Sequence, residues 1–369
     1  MNNTPKIILT GDRPTGKLHL GHYFGSLVNR INLQNMRNQD DTSLEYQQFI
    51  MIADMQALTD NAENSQKITS SVQELILDYY SVGLISFDES KPQSTIFLQS
   101  AIPALSELTM YYMNLVTESR VVRNPTVKTE REQKKWQGGS VPFGFLAYPV
   151  SQAADITAFK ANLVPVGEDQ LPMIELTNEI VDKFNSTYTA VLTRTKALIT
   201  KDSKLSRLLG IDGEQKMSKS LNNAIFLSDS EDELRAKIKK MRTCTRATIN
   251  DPGTLEGNAV FYFIDVMSSW FNINHYSHPI LQEIPIWKSR YISGGNGKEE
   301  YAKDSFLKEQ LFNLINQMLI PIRQKRQEGL ENIDLIYKKI DSDIKKANII
   351  ANSTLHELKC AMGLNYPNF

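Results

Sequence analysis

The chain has 369 residues, 41% of them hydrophobic, enough for two or three domains with their own core. Lysine and arginine number 41 against 42 aspartates and glutamates, a formal net charge of -1, so overall charge attracts no phosphate and a nucleic-acid partner needs basic residues gathered on one face. The two cysteines, Cys244 and Cys360, exclude a disulfide scaffold and a cysteine-rich zinc or iron–sulfur site.

The polar start, Met1 to Lys6, leads straight into a strand-like run. No stretch reads as a signal peptide or a membrane span, so a cytosolic location is expected. Ile7 to Thr10 is β-rich and ends at Gly11; a loop with Pro14 and Gly16 follows, and Leu20, Phe24, Leu27, Val28 and Ile31 then recur at helical spacing. Phe49 to Ala53 is unbroken apolar sequence, as in a strand buried on both faces of a parallel sheet. Ile68, Val72, Leu75, Ile76 and Tyr79 line one helix face, with Gly83 placed to cap it. Thr95 to Leu98 and Leu163 to Val166 read as strands, and Met173, Leu176, Ile180 and Phe184 mark another helix. The alternation predicts a doubly wound parallel α/β sheet through about residue 205.

Ser203 to Asn223 is polar, glycine-containing and lysine-rich, and reads as a mobile loop. Beyond it, residues 229–243 and 302–363 are charged and helix-prone, with stripes such as Phe306, Leu307, Leu311, Leu314, Ile315 and Met318. The expected division is a catalytic domain over 1–222 and a helical domain over 223–369. Tyr291 to Gly297 reads as a turn inside an insertion near 268–300.

Two segments carry chemistry. The first runs Gly11-Asp12-Arg13-Pro14-Thr15-Gly16-Lys17-Leu18-His19-Leu20-Gly21-His22. A glycine loop between a strand and a helix start favours phosphate, because unpaired backbone N–H groups and the helix dipole both point at it. Gly21 lets a nucleotide approach the backbone, and His19 and His22, three apart, face the same side of the first turn as donors to phosphate oxygens. The second is Lys216-Met217-Ser218-Lys219-Ser220, two flexible cations suited to gripping a triphosphate from a closing loop. Taken singly, these also read as two surface histidines on a helix cap and a solvated lysine-rich linker.

Together, His-Leu-Gly-His and Lys-Met-Ser-Lys-Ser resemble the paired signatures of class I aminoacyl-tRNA synthetases. The sequence between them resembles the tryptophanyl-tRNA synthetase family over nearly the whole chain: Gly11 to Leu27, Met51 to Thr59, Tyr148-Pro149 with Ala153-Ala154-Asp155-Ile156, Val164 to Gln170, and Ala361 to Leu364. The resemblance implies a Rossmann-like catalytic domain followed by an α-helical anticodon-binding domain. It also implies activation of L-tryptophan by ATP and transfer to tRNA(Trp). His19, His22, Lys216 and Lys219 would stabilise phosphate charge, with Mg²⁺ bound through the ATP phosphates. ATP contacts would come from Arg13, Pro14, Thr15, Gly21, Gly167, Glu168, Asp169, Leu208, Met217, Ser218 and Ser220. Asp155 would accept the indole N–H, Leu9, Ala53, Val164 and Val166 would line the indole pocket, and Tyr148 and Gln170 would hold the α-amino group. Members of the family are homodimers, which implies a dimer here.

Departures from the family pattern are Arg13, Gln56 and Gln152, where many members have glutamine, histidine and methionine, and His22, often asparagine. The tRNA is expected along Lys237, Lys239, Lys240, Arg242 and Arg246, and Arg323, Lys325 and Arg326, although such runs are usually solvated helix faces. His275 and His278 stand three apart without a cysteine or carboxylate at ligand spacing, so no metal is expected. The competing readings are a tyrosine-specific synthetase, another nucleotidyltransferase, and a non-catalytic paralogue that binds tRNA or senses tryptophan.

Overall fold

The computed structural model describes residues 5–37, 43–134, 140–199, 208–246, 248, 251–274, 276, 279–294 and 302–366. Strand β1 (Lys6–Asp12) leads into α1 (Leu20–His22), a π-helical turn (Tyr23–Leu27) and α2 (Val28–Asn35). Then come β2 (Tyr46–Ile52), α3 (Asp54–Asn61), α4 (Ser65–Ser81), β3 (Thr95–Leu98), α5 (Pro103–Met113), α6 (Glu118–Val122), α7 (Pro125–Lys134) and α8 (Phe143–Ala158). β4 (Leu163–Val166), α9 (Leu171–Thr187) and β5 (Lys196–Ile199) complete the α/β part. The rest is helical: α10 (Glu231–Lys240), α11 (Ala259–Ile273), α12 (Pro279–Ser293), α13 (Asp304–Glu331) and α14 (Ile333–Met362).

The strands form one parallel sheet in the order β3-β2-β1-β4-β5, so the winding reverses between β1 and β4. This is the Rossmann-like arrangement expected from the sequence, followed by the expected helices. Register is set by Leu9 opposite Phe49, Ile50 opposite Ile96 and Ile8 opposite Leu163. Phe49, Ile50 and Ile52 are fully buried, which is why β2 needs no polar alternation. Phe159 packs between Phe49 and Phe97, with ring centroids 5.0 and 4.9 Å away. Gly83 follows α4 at φ 87°, a left-handed closing position that glycine adopts without strain.

Three local readings need correction. β5 escaped the sequence reading because it is a four-residue edge strand with exposed Lys196 and Ile199 at its ends. The helix after the first motif is interrupted by a π turn that its regular spacing does not announce. Tyr291 lies in the last turn of α12, fully buried, rather than in a turn; Gly294 follows at φ 71°, and Gly295 and Gly297 lie outside the described residues.

By packing, the described chain divides into two units. One takes residues within 1–16, 30–201 and 329–369; the other takes 17–29 and 202–328. The first holds the sheet and also α14, whose Ala347, Ala351 and Leu358 join the core cluster of Phe97, Leu105 and Phe159. The second holds both signature segments together with α10, α11 and α12.

Candidate active site

In the first unit a cavity of about 250 Å³ opens at the C-terminal ends of β1, β2 and β4, beside the point where the winding reverses. Its walls include Leu9 and Arg13 from β1 and the residue after it, Ala53 at the end of β2, Gln56 on α3, Tyr148, Gln152 and Asp155 on α8, Val164 on β4, and Gln170. The sequence therefore placed most of its amino-acid-side candidates in one cavity. Val166 is not among the lining residues; it is half-buried against the core.

Asp155 is 1% exposed, so its carboxylate is far from bulk water. Gln99 Nε2 donates to both its oxygens at 3.0 Å, and Gln56 Nε2 donates to Oδ2 at 2.8 Å. Among the described residues no lysine or arginine pairs with it. Burial raises its pKa to about 7, against the lowering effect of the Gln99 amide. The result is a buried hydrogen-bond acceptor held at the wall of the cavity. Gln99 was not identified in the sequence: a lone glutamine after a strand carries no signal of its partner on α8.

At the cavity rim Gly167 to Gln170 lead into α9. Gly167, Glu168 and Asp169 are exposed, and Thr126 Oγ1 donates to the Asp169 carbonyl at 2.7 Å. A Cβ on Gly167 would stand 2.6 Å from the Asp169 carboxylate. Pro14 is buried and Thr15 exposed in the loop after β1.

In the second unit the two signature segments meet. Leu20 N–H donates to the Ile225 carbonyl at 2.9 Å and Leu227 N–H to Leu18 at 3.0 Å, which lays His19 beside the chain leaving the lysine loop. His19 and His22 have ring centroids 3.8 Å apart, and His19 N–H donates to His22 Nδ1 at 3.3 Å. Gly21 leaves room for this arrangement: a Cβ there would come within 2.9 Å of the His19 ring and 3.5 Å of Met217. Burial, and then the nearby charges of His22, Lys219 and Lys216, depress the His19 pKa to about 2. The imidazole is thus neutral in a strongly positive setting, one that an anion would relieve.

The lysine segment, read as a bare loop, is folded over its described part. Met217 N–H donates to Leu208 at 2.9 Å and Gly210 N–H to Gln215 at 2.8 Å. Asn223 closes the turn by accepting from Ser218 N–H at 2.8 Å and donating to Asp212 at 2.7 Å. Met217 and Leu208 are buried, Lys216 and Ser220 exposed, Ser218 and Lys219 half-buried. Residues 201–207 lie outside the described part.

Several basic residues expected along tRNA are engaged within the unit. Lys237 binds Asp229 at 2.6 and 2.7 Å. Arg246 is 5% exposed, binds Asp304 at 2.6 Å and lies 4.7 Å from the Tyr291 ring centroid. Arg323 donates to the Asp229 carbonyl at 3.0 Å, and Arg242 pairs with Glu214. Lys239, Lys240 and Lys325 are exposed; Arg326 is half-buried. His275 and His278 lie outside the described residues, among which no group of three histidine, cysteine or acidic side chains could hold a metal. No helix among the described residues is long and apolar enough to cross a membrane.

A nucleotide-type crevice in one unit and a clustered histidine–lysine pair of motifs in the other define an enzyme of the class I synthetase kind. Residues 1–304 match the family described as tRNA synthetases class I (W and Y), and the chain belongs to this family. Within it, the chain is 48% identical over 365 residues to the tryptophan–tRNA ligase of Streptococcus pyogenes serotype M3, covering 98% of this chain and 99% of that one. It is likewise 48% identical over 367 residues to the tryptophan–tRNA ligase of Streptococcus pneumoniae serotype 4, covering 99% and 100%. The tryptophanyl-tRNA synthetase of Campylobacter jejuni, solved with ADP and tryptophan, superposes with a TM-score of 0.79 at 26% identity, over 97% of this chain and all of that one.

Proposed function

We propose that this chain is a tryptophan–tRNA ligase that activates L-tryptophan with ATP and esterifies it onto tRNA(Trp). The observation that carries the specificity is the buried Asp155 carboxylate, held by Gln56 and Gln99 in the cavity. A substrate with an indole N–H supplies a donor there; a phenylalanine ring leaves the buried acceptor unmatched at a cost.

In the first step a tryptophan carboxylate oxygen attacks the α-phosphorus of ATP. The bond from that phosphorus to the bridging oxygen breaks, leaving tryptophanyl-adenylate and pyrophosphate. In the second, a ribose hydroxyl of the terminal tRNA adenosine attacks the acyl carbon and AMP departs. Neither step needs a covalent enzyme nucleophile, so catalysis rests on positioning and charge stabilisation. His19, His22, Lys216 and Lys219 are assigned to the phosphates. The loop around Arg13, Pro14 and Thr15, together with Gly21, Gly167, Glu168, Asp169, Leu208, Met217, Ser218 and Ser220, is assigned to ATP. Leu9, Ala53 and Val164 are assigned to the indole, and Tyr148 and Gln170 to the α-amino group. Mg²⁺ enters with ATP through its phosphates and offsets their charge.

Residues 1–222 are assigned to catalysis and 223–369 to the anticodon, with tRNA contacts at exposed Lys239, Lys240 and Lys325. The same reading carries a homodimer working in the cytoplasm, which sedimentation and cell fractionation test. The direct test of the function is pyrophosphate exchange with each of the twenty amino acids: tryptophan alone should support it, and exchange driven by tyrosine instead would overturn the assignment.

A further inference from the structure

Helix α14 reaches the tryptophan cavity indirectly, through strand β3. That strand is at the edge of the sheet, so outward N–H groups have no neighbouring strand to accept them. Ile96 N–H finds Asp343 Oδ2 on α14 instead, at 3.2 Å. The Asp343 side chain is 3% exposed and its carboxylate is bound by Lys339 Nζ at 2.6 and 2.7 Å. Further along the helix, Asn348 Nδ2 donates to the Ala101 carbonyl at 2.9 Å and to Ile344 at 3.1 Å.

Between these two anchors lies Gln99, 1% exposed, at the start of a 3₁₀ turn Gln99–Ala101. Its Oε1 accepts from the Gln56 backbone N–H at 3.1 Å. A backbone N–H only donates, so this contact decides which end of the amide faces Asp155, and it is the Nε2 end. The Asp155 carboxylate is therefore oriented by a glutamine whose flanking backbone, at Ile96 and Ala101, is bonded from outside the cavity by α14.

We propose that Asn348 and Asp343 are positioning residues for tryptophan selection, acting by holding Ala101 and Ile96 so that Gln99 keeps the Asp155 carboxylate aimed at the indole N–H. The inference rests on the assignment of Asp155 to the indole. It gives the C-terminal helix a role in amino-acid recognition in addition to the role assigned to its domain.

The test is steady-state pyrophosphate exchange with the full chain. Asn348→Ala and Asn348→Asp, the latter of similar size but without a proton to give Ala101, should raise KM for tryptophan about 3- to 10-fold, the worth of one neutral hydrogen bond. KM for ATP and kcat should stay at the parent value, and the preference for tryptophan over phenylalanine should narrow. Asp343→Ala should act in the same direction, whereas Asp343→Asn, which keeps an oxygen acceptor, should stay near the parent. In a Gln99→Ala background, Asn348→Ala should have no further effect, since its route to Asp155 is already cut. A parent-like tryptophan KM in folded Asn348→Ala overturns the proposal. So does a matching rise in KM for ATP, or an undiminished effect in the Gln99→Ala background. Asp155→Ala, assayed in parallel, separates the two failures. If that variant still rejects phenylalanine as the parent does, the indole assignment itself falls; if it loses discrimination while Asn348→Ala changes nothing, only the positioning role falls.

Discussion

Arg30 grips Asp12 with two N–H···O bonds, Nη1 to Oδ2 at 2.5 Å and Nη2 to Oδ1 at 3.2 Å, at the point where β1 ends. Nη2 also reaches the Gly11 carbonyl at 3.2 Å, and the Tyr79 hydroxyl donates to Asp12 Oδ2 at 2.5 Å. Arg30 is 3% exposed and Tyr79 fully buried. The start of the loop assigned to ATP thus hangs from a buried guanidinium. Asp12 holds Arg30 protonated despite its burial, and burial together with Asp12 keeps the Tyr79 phenol protonated.

Arg30→Ala is expected to destabilise the fold by about 3–5 kcal/mol, because it leaves a partly buried carboxylate without its cation. Urea denaturation checks it. A loss below about 1 kcal/mol would mean that the pair is no more than a surface-type bridge.

Asp155 gives a pH signature with a definite sign. Its folded pKa, about 7, lies above the ordinary aspartate value of 3.8, so between those values the folded chain holds a proton that the unfolded chain has lost. Its contribution to stability is present below about pH 4 and fades as pH rises through 7. Asp155→Asn should therefore melt higher than the parent at pH 8, with the gain shrinking towards pH 4. Calorimetry across that range tests it. In the parent, tryptophan affinity should fall below pH 7, as the acceptor becomes protonated.

Lys219→Ala should slow adenylate formation about 10²- to 10³-fold while leaving tryptophan affinity within a factor of about two, because the charge it offsets develops in the transition state. Pyrophosphate exchange and equilibrium tryptophan binding separate the two quantities. Exchange at the parent rate would remove Lys219 from the phosphate site.

His19 should report anion binding directly. Inorganic pyrophosphate, by offsetting the charges of His22, Lys219 and Lys216, should raise its pKa from about 2. The imidazole NMR titration of His19 would follow the rise, and an unchanged curve at saturating pyrophosphate would contradict the cluster's role.

Asn223→Ala should raise KM for ATP about 3- to 10-fold with tryptophan KM unchanged, because the side chain supplies bonds to Ser218 and Asp212 that shape the lysine loop. Exchange kinetics at varied ATP would show it.

The glycine loop, the histidine pair, the lysine loop and the apolar strand β2 were legible because each is a local pattern with a local cause. Gln99 was not, since its meaning comes from a residue on α8 that it meets only in the folded chain. The Arg30–Asp12 clamp was hidden for the same reason. The basic stretches were legible only as charges: sequence shows Lys237, Arg246 and Arg323 but not the acidic side chains and carbonyl that engage them. β5 was lost because a short, half-polar edge strand has no periodicity to detect.

The bonds from Leu20 to Ile225 and from Leu227 to Leu18 have a consequence for the ribosome. The first signature is translated early, yet its backbone partners are translated only after the lysine loop. Until Ile225 and Leu227 emerge, the Leu20 N–H has no acceptor and the Leu18 carbonyl no donor from that segment. A nascent chain halted before residue 225 should lack this pairing, so the setting of the two segments assigned to phosphate is completed late in translation, well after β1 and β2 have been made.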